Sequence, residues 1–198
     1  MQYCDILLHA AHIVTQDEQG RILDNASLAI ADGLVVGIGP RADMDALWQA
    51  ARVMDMGNSL VLPGLINAHT HAAMTLLRGL ADDMPLMDWL GKSIFPVEKQ
   101  LTADLTRLGS LLGYAEMLRT GTTACVDMYL FAEASLEAAH TAGLRCLGGE
   151  AVFDFPGAAC AGPEQALEKT LALAEKYRSH PRLRVAVNPH SVYTCSPQ

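Results

Sequence analysis

The 198-residue sequence predicts an α/β protein built on a parallel sheet, entered through a small β module. Three observations carry that class. After residue 60, apolar β-branched runs alternate with helical stretches in the order strand, helix, strand, helix, strand, helix, strand, and consecutive parallel strands need helical crossovers. Residues 1–60 instead read as short strands with little helix. The composition, 51% hydrophobic and 18% charged, supports a sizeable core and is too apolar for a disordered coil. An open doubly wound sheet and a (β/α)8 barrel both fit this order. No GxGxxG motif follows the first strand, which argues against the dinucleotide-binding form of the open sheet.

In the β module, Asp5-Ile6-Leu7-Leu8 and Ala11-His12-Ile13-Val14-Thr15 read as two strands. Ser27–Ile30 and Leu34–Gly39 flank Asp32-Gly33, a dipeptide that favours a hairpin turn. Arg41 to Ala51 reads as a short helix, followed by strands at Val53–Met56 and Leu60–Leu62. The run Leu60 to Ile66, broken by Pro63-Gly64, predicts a buried strand entering a tight corner, and residues 72–101 form an excursion with short helices of its own. Leu105, Leu108, Leu112, Ala115 and Leu118 recur at helical spacing over Thr102–Arg119, with Thr102 as N-cap and Gly121 at the close. Strands are expected at Thr122–Met128, Leu144–Val152 and Leu183–Asn188, and helices at Ala132–Thr141 and Pro163–Ser179. Proline suits the first turn of the latter. A full (β/α)8 barrel takes about 250 residues, yet only four strands follow residue 60. The ending Thr194-Cys195-Ser196-Pro197 reads as a loop and the start of a helix. The expectation is a chain cut in mid-fold.

The charge balance of 14 basic against 22 acidic residues, net −8, with no Lys/Arg cluster, argues against nucleic acid. No apolar run is long enough to span a membrane, and the start Met1-Gln2-Tyr3-Cys4-Asp5 lacks the features of a signal peptide. Five scattered cysteines without a CxxC pair suggest reduced thiols in the cytoplasm.

The sharpest chemical feature is Pro63-Gly64-Leu65-Ile66-Asn67-Ala68-His69-Thr70-His71. On an extended segment, residues i and i+2 point to the same side, so both imidazoles can reach one metal ion at the C-terminal end of a strand. Zinc is the usual partner of neutral imidazole, and iron or nickel also fit. His190 ends the last predicted strand; a third ligand, a substrate contact and a polarising acid are all open to it. His9, His12, His140 and His180 read as surface or structural. Glu98, Asp82, Asp83, Asp88 and Trp89 lie in the excursion. Glu150 ends the third strand as a site candidate, and Asp127 ends the second, either as a site acid or as a structural acceptor.

The segment Leu62–Gly79, the stretches Asp82–Leu90 and Pro96-Val97-Glu98, the strand Gly121–Tyr129 and the stretch Pro189–Ser196 together resemble the amidohydrolase superfamily, in particular its 5-methylthioadenosine/S-adenosylhomocysteine deaminase group. The similarity runs along the whole chain. It implies the first half of a (β/α)8 metal-dependent hydrolase barrel, residues 61–198, with residues 1–60 as the N-terminal part of a composite β-sandwich. It implies one divalent metal, usually Zn2+, with His69 and His71 as its first two ligands. Two further ligands and the catalytic carboxylates would lie beyond Gln198. His190 then matches a substrate-contacting histidine, which removes it from the metal ligands. Glu98 matches the carboxylate on the ribose hydroxyls, and Trp89 an aromatic residue near the purine. Glu150 stands where some members carry an arginine, so an amino-acid tail on the substrate would meet a carboxylate.

The implied activity is metal-assisted hydrolysis at C6 of an adenosine analogue (5′-methylthioadenosine, S-adenosylhomocysteine, 5′-deoxyadenosine or adenosine) to the inosine analogue and ammonia. The partner is a small-molecule nucleoside, and homo-oligomerisation stays open. Other members of the superfamily, such as a guanine deaminase or a triazine chlorohydrolase, are the alternative, as is a non-catalytic fragment.

Overall fold

The computed structural model describes residues 1–197. The chain divides into two compact units, Met1–Pro63 and Gly64–Gln198.

The first unit is a five-stranded mixed sheet with one helix. β1 (Gln2–Val14) lies between antiparallel β2 (Ile22–Ala31) on one side and parallel β4 (Trp48–Asp55) and β5 (Leu60–Val61) on the other; β3 (Leu34–Pro40) is antiparallel to β2. Asp32 and Gly33 both have positive φ, 51° and 73°, as the two-residue hairpin turn requires. The two strands expected at Asp5–Leu8 and Ala11–Thr15 are one strand. The intervening His9 is buried without breaking the ladder because its Nδ1 pairs with Ser27 Oγ at 2.6 Å. The helix expected to Ala51 stops sooner: α1 covers Arg41–Leu47, and Trp48 to Ala50 pair with Gln2 to Cys4 instead. Cys4, Leu7, Ala29, Met44 and Trp48 form the core under α1.

The second unit is a parallel sheet with helical crossovers. Its strands are β6 (Leu65–Thr70), β7 (Thr122–Tyr129), β8 (Arg145–Val152), β9 (Leu183–Val185) and β10 (Asn188–Pro189), in the order β10-β8-β7-β6 with β9 also on β8. Every pairing is parallel. The strand expected over Leu183–Asn188 is thus interrupted after Val185, and both pieces follow β8. The buried strand expected over Leu60–Ile66 is divided between the units: β5 pairs with β1, and β6 is an edge strand. With one neighbour only, β6 leaves Leu65 and Ile66 53% and 72% exposed.

A 3₁₀ helix (Ala72–Leu77) follows β6. Next come α2 (Leu86–Asp88), a π-helical stretch (Trp89–Ile94) and α3 (Phe95–Glu98), end to end. Pro96 explains the wide turn. It has no N–H to donate and its ring crowds the carbonyl one turn back, so the ladder shifts and Phe95 N–H reaches back to Leu90 O.

α4 (Ala103–Arg119) starts at Thr102, whose Oγ1 accepts from Leu105 N–H at 3.3 Å. α5 (Ala132–Ala142) ends on left-handed Gly143, and α6 (Pro163–Lys176) stops short of the expected Ser179. Among the described residues no helix forms at Ser196-Pro197. Tyr114, Leu136, Leu144, Leu173 and Leu183 pack between sheet and helices. The leucine face expected to be buried on α4 is not: Thr106, Gly109, Ser110, Gly113 and Tyr114 face inward instead.

Candidate functional site

The parallel strands all end on one side, and the side chains with the most chemistry gather there. His69 and His71 leave the end of β6 with ring centroids 4.9 Å apart and planes at 75°. His71 Nδ1 lies 2.6 Å from Met128 O on β7. A carbonyl oxygen only accepts, so Nδ1 carries the proton and Nε2 keeps its lone pair for a metal. The next residue is anchored too: Ala72 N–H donates to Asp127 Oδ1 at 2.9 Å. Asp127 Oδ2 accepts from the buried Tyr114 hydroxyl at 2.6 Å. Asp127 is therefore the structural acceptor of the two roles open to it. Burial pushes its carboxyl above the usual carboxylate range, and the two hydrogen bonds oppose that.

A cavity of about 210 Å3 brings His71, Trp89, Glu98, Tyr129, Phe153 and His190 together. Trp89 Nε1 donates to Ala81 O at 3.1 Å, so its orientation is set by the excursion itself. Burial raises the Glu98 carboxyl above its ordinary value, opposed by the nearby His71. The Tyr129 hydroxyl is buried and meets hydrogen-bond geometry with no protein group. His190 pairs through Nδ1 with Thr194 Oγ1 at 2.8 Å and stacks 4.7 Å from Phe153. Desolvation first, and then His71 and His69, lower its pKa and favour neutral imidazole.

The structure thus brings four of the expected residues, His71, Trp89, Glu98 and His190, to one cavity, with His69 in ring contact with His71. Glu150 is a correction. It ends β8 as expected but faces the helices, where its two oxygens accept from Phe131 and Ala132 N–H, both at 2.9 Å. It caps α5, whose first residue follows Phe131 in the left-handed conformation (φ 58°). Both its oxygens are committed to the start of α5, and it does not line the cavity of His71 and His190. Tyr129 and Phe153 are cavity residues that sequence reasoning passed over. Tyr129 carried a signal, since it ends a strand on the same side as His71.

Among the described residues, no three His, Cys, Asp or Glu side chains come together as a metal site. No helix of the described residues is long and apolar enough to cross a membrane.

Comparison with known proteins gives a consistent placement. Residues 60–198 match the amidohydrolase family. A 5-methylthioadenosine/S-adenosylhomocysteine deaminase of Desulfovibrio desulfuricans is 66% identical over 198 residues, all of this chain and 45% of the relative. One of the same name from Lawsonia intracellularis is 55% identical over 197 residues and is likewise covered to 45%. The chain therefore spans less than half the length of the curated relatives it matches. Among solved structures, an adenosine deaminase from Xanthomonas campestris with bound zinc superposes with a TM-score of 0.94 at 36% identity, over 98% of this chain and 44% of the other. A zinc-complexed atrazine chlorohydrolase from Arthrobacter aurescens shares the fold (TM-score 0.85) at 22% identity, over 97% of this chain and 48% of the other. The parallel unit is the N-terminal portion of a (β/α)8 hydrolase fold, as the motif at His69 and His71 implied, and the chain belongs to the amidohydrolase family.

Proposed function

We propose that the protein carrying this chain is a metal-dependent deaminase of adenine nucleosides, releasing ammonia and leaving the inosine analogue. The observation that carries the proposal is one cavity joining the strand-end His71 to Glu98, Trp89 and His190. A half-buried carboxylate can accept from two vicinal hydroxyls at once, which suits a ribose. An indole face suits a purine, and a neutral imidazole at His190 suits a polar edge of the base.

A divalent metal fits the pair at the end of β6. His71 has its tautomer set by Met128 O, and His69 lies beside it. These two residues would hold it, with the rest of its ligands from outside this chain. Zinc, the ion bound by the Xanthomonas relative, would lower the pKa of a water molecule and so supply a nucleophile at neutral pH. This chain's residues bind and orient: Glu98 fixes the sugar, Trp89 covers the base, and His190 contributes a hydrogen bond. The guanine deaminase and chlorohydrolase readings lack a task for Glu98. The five free cysteines fit a reducing cytoplasm.

The test is binding and turnover of 5′-methylthioadenosine by the intact protein and its Glu98→Ala variant. Two charge-assisted hydrogen bonds are lost, so KM should rise roughly 100-fold. A 2′,3′-dideoxy analogue should be nearly indifferent to the change. An unchanged KM would remove Glu98 from the sugar and leave the nucleoside assignment without its support.

A further inference from the structure

We propose that Thr194 is a positioning residue: its hydroxyl donates to His190 Nδ1 and so holds that imidazole as the Nε2–H tautomer, a hydrogen-bond donor to the ligand in the cavity. The proposal rests on the deaminase reading above only for its effect on turnover; the tautomer follows from contacts within the chain.

Those contacts begin in the turn after β10. Three bonds strap it to the end of β8. His190 N–H and the Cys195 thiol both donate to Val152 O, at 3.1 Å each, and Asp154 N–H donates to Thr194 O at 3.0 Å. Thr194 is buried by this strap, and its Oγ1 lies 2.8 Å from His190 Nδ1 and 2.8 Å from Ser191 Oγ. The ring plane is fixed as well. Phe153 stacks 4.7 Å from His190 with planes 32° apart, and Tyr193 stands across it at 88°.

A threonine hydroxyl has one proton to give, and four acceptors surround it. Cys195 Sγ is the weakest, at 4.0 Å. Ser191 O lies at 3.3 Å, and its two lone pairs already take Cys195 N–H at 2.9 Å and Thr194 N–H at 3.2 Å. Ser191 Oγ carries a proton of its own, and giving it to Thr194 Oγ1 leaves the Thr194 proton for His190 Nδ1. The relay from Ser191 through Thr194 to His190 thus places each hydroxyl proton on a near acceptor. Burial favours the neutral ring. Its proton then sits on Nε2, the nitrogen left for the cavity that His190 lines.

His71, 6.5 Å away between ring centroids, is set the opposite way, with Nδ1 against Met128 O and Nε2 bare. A carbonyl partner fixes one tautomer and a hydroxyl relay the other. One ring offers a lone pair, which suits a metal ion. The other offers a proton, which suits an unprotonated nitrogen or a carbonyl oxygen of a ligand and repels a cation.

The experiment is nuclear magnetic resonance of the intact protein carrying isotope-labelled histidine, with His190 assigned from the signals lost in His190→Asn. The expected pattern is a protonated Nε2 and an unprotonated Nδ1. Thr194→Val, which removes the hydroxyl, should turn His190 into a mixture of tautomers. It should also lower kcat/KM for 5′-methylthioadenosine about tenfold, the worth of one hydrogen bond. Thr194→Ser, which keeps the hydroxyl, should retain both the single tautomer and the turnover. Thermal melts establish that each variant folds. A wild-type ring protonated at Nδ1 would overturn the proposal. So would a tautomer or a turnover indifferent to Thr194→Val in a folded variant, and either result leaves the deaminase reading intact. A single Nε2–H tautomer, lost in Thr194→Val, in a protein that turns over no adenine nucleoside would support the role of Thr194 and sink the deaminase reading alone.

Discussion

Glu150 and Asp127 are both carboxylates at strand ends, both buried, and both satisfied by groups distant in sequence. Asp127 is held by Tyr114, 13 residues away, and by Ala72, 55 residues away. Sequence shows a carboxylate at a strand end; it does not show which face it turns to or which N–H waits there. His69 and His71 were legible because i and i+2 spacing on a strand is local geometry. Replacing Glu150 by Ala leaves two N–H groups at the start of α5, one buried and one partly buried, without acceptors. A loss of about 2–3 kcal/mol is expected, read from the denaturant midpoint. Glu150→Gln should cost less, since one acceptor oxygen survives. A change below about 0.5 kcal/mol for the alanine variant would mean that the cap is dispensable. Asp127 acts on a ligand by another route. Its bond to Ala72 N–H fixes the backbone directly after His71, so Asp127→Asn should weaken zinc retention by about tenfold. Chelator competition measures this, and an unchanged affinity would confine Asp127 to the core.

Helix α4 inverts the usual use of a leucine stripe. Leu105, Leu108, Leu112 and Leu118 are 42%, 57%, 47% and 39% exposed, while glycine, serine and threonine face inward. The reason is close approach. The 3₁₀ helix after His71 crosses α4 so tightly that a methyl on Gly109 would lie 2.5 Å from Ala73 O, and one on Gly113 2.9 Å from Ala72 O. Periodicity locates an apolar face but does not say what space a neighbouring backbone takes. Caps are different: Thr102 and Gly121 were readable because their chemistry is confined to one turn. Gly109→Ala should therefore destabilise the protein by about 1–3 kcal/mol, although alanine gains about 1 kcal/mol in helix propensity. Thermal unfolding decides the sign, and a stabilised variant would disprove the close crossing. A second prediction concerns the join between α5 and β9. His180 Nδ1 accepts from Arg182 and Leu183 N–H at 3.2 and 3.0 Å, and its Nε2 lies 2.9 Å from His140 Nδ1. Desolvation, followed by repulsion from His140, Arg182 and Arg184, lowers its pKa below the ordinary 6.5. The unfolded chain then binds the proton more readily. This contribution to stability is complete above 6.5 and declines as pH falls from there through the folded value. Amide exchange at Leu183 should accelerate over that window, and a pH-independent rate, after correction for intrinsic exchange, would contradict it.

The surfaces left open by the second unit set the behaviour of the whole molecule. β6 is an edge strand with Leu65 and Ile66 exposed, and the leucines of α4 face outward. Unpaired strand edges and contiguous apolar surface favour association. The chain also accounts for only 45% of the Desulfovibrio relative, and two imidazoles alone would make an incomplete zinc shell, since a catalytic site ordinarily has three protein ligands. These facts point the same way. Produced alone, the 198-residue polypeptide should self-associate in light scattering, hold zinc weakly and release no ammonia from adenine nucleosides. Leu108→Lys and Ile66→Lys should each reduce the association. The protein purified from its source should be much heavier than the 21.2 kDa of this chain, roughly 40 kDa or more for a barrel with its accessory sheet, and should carry about one metal per chain. Intact mass and metal analysis on one sample test both points together. A heavy, metal-loaded protein makes His69 and His71 two ligands of a site completed elsewhere in the same polypeptide, and the exposed leucines and strand edge become interior surfaces. A 21.2 kDa product without metal would leave Glu98 and Trp89 lining a cavity with no means of activating water, and catalysis would have to be withdrawn for this chain.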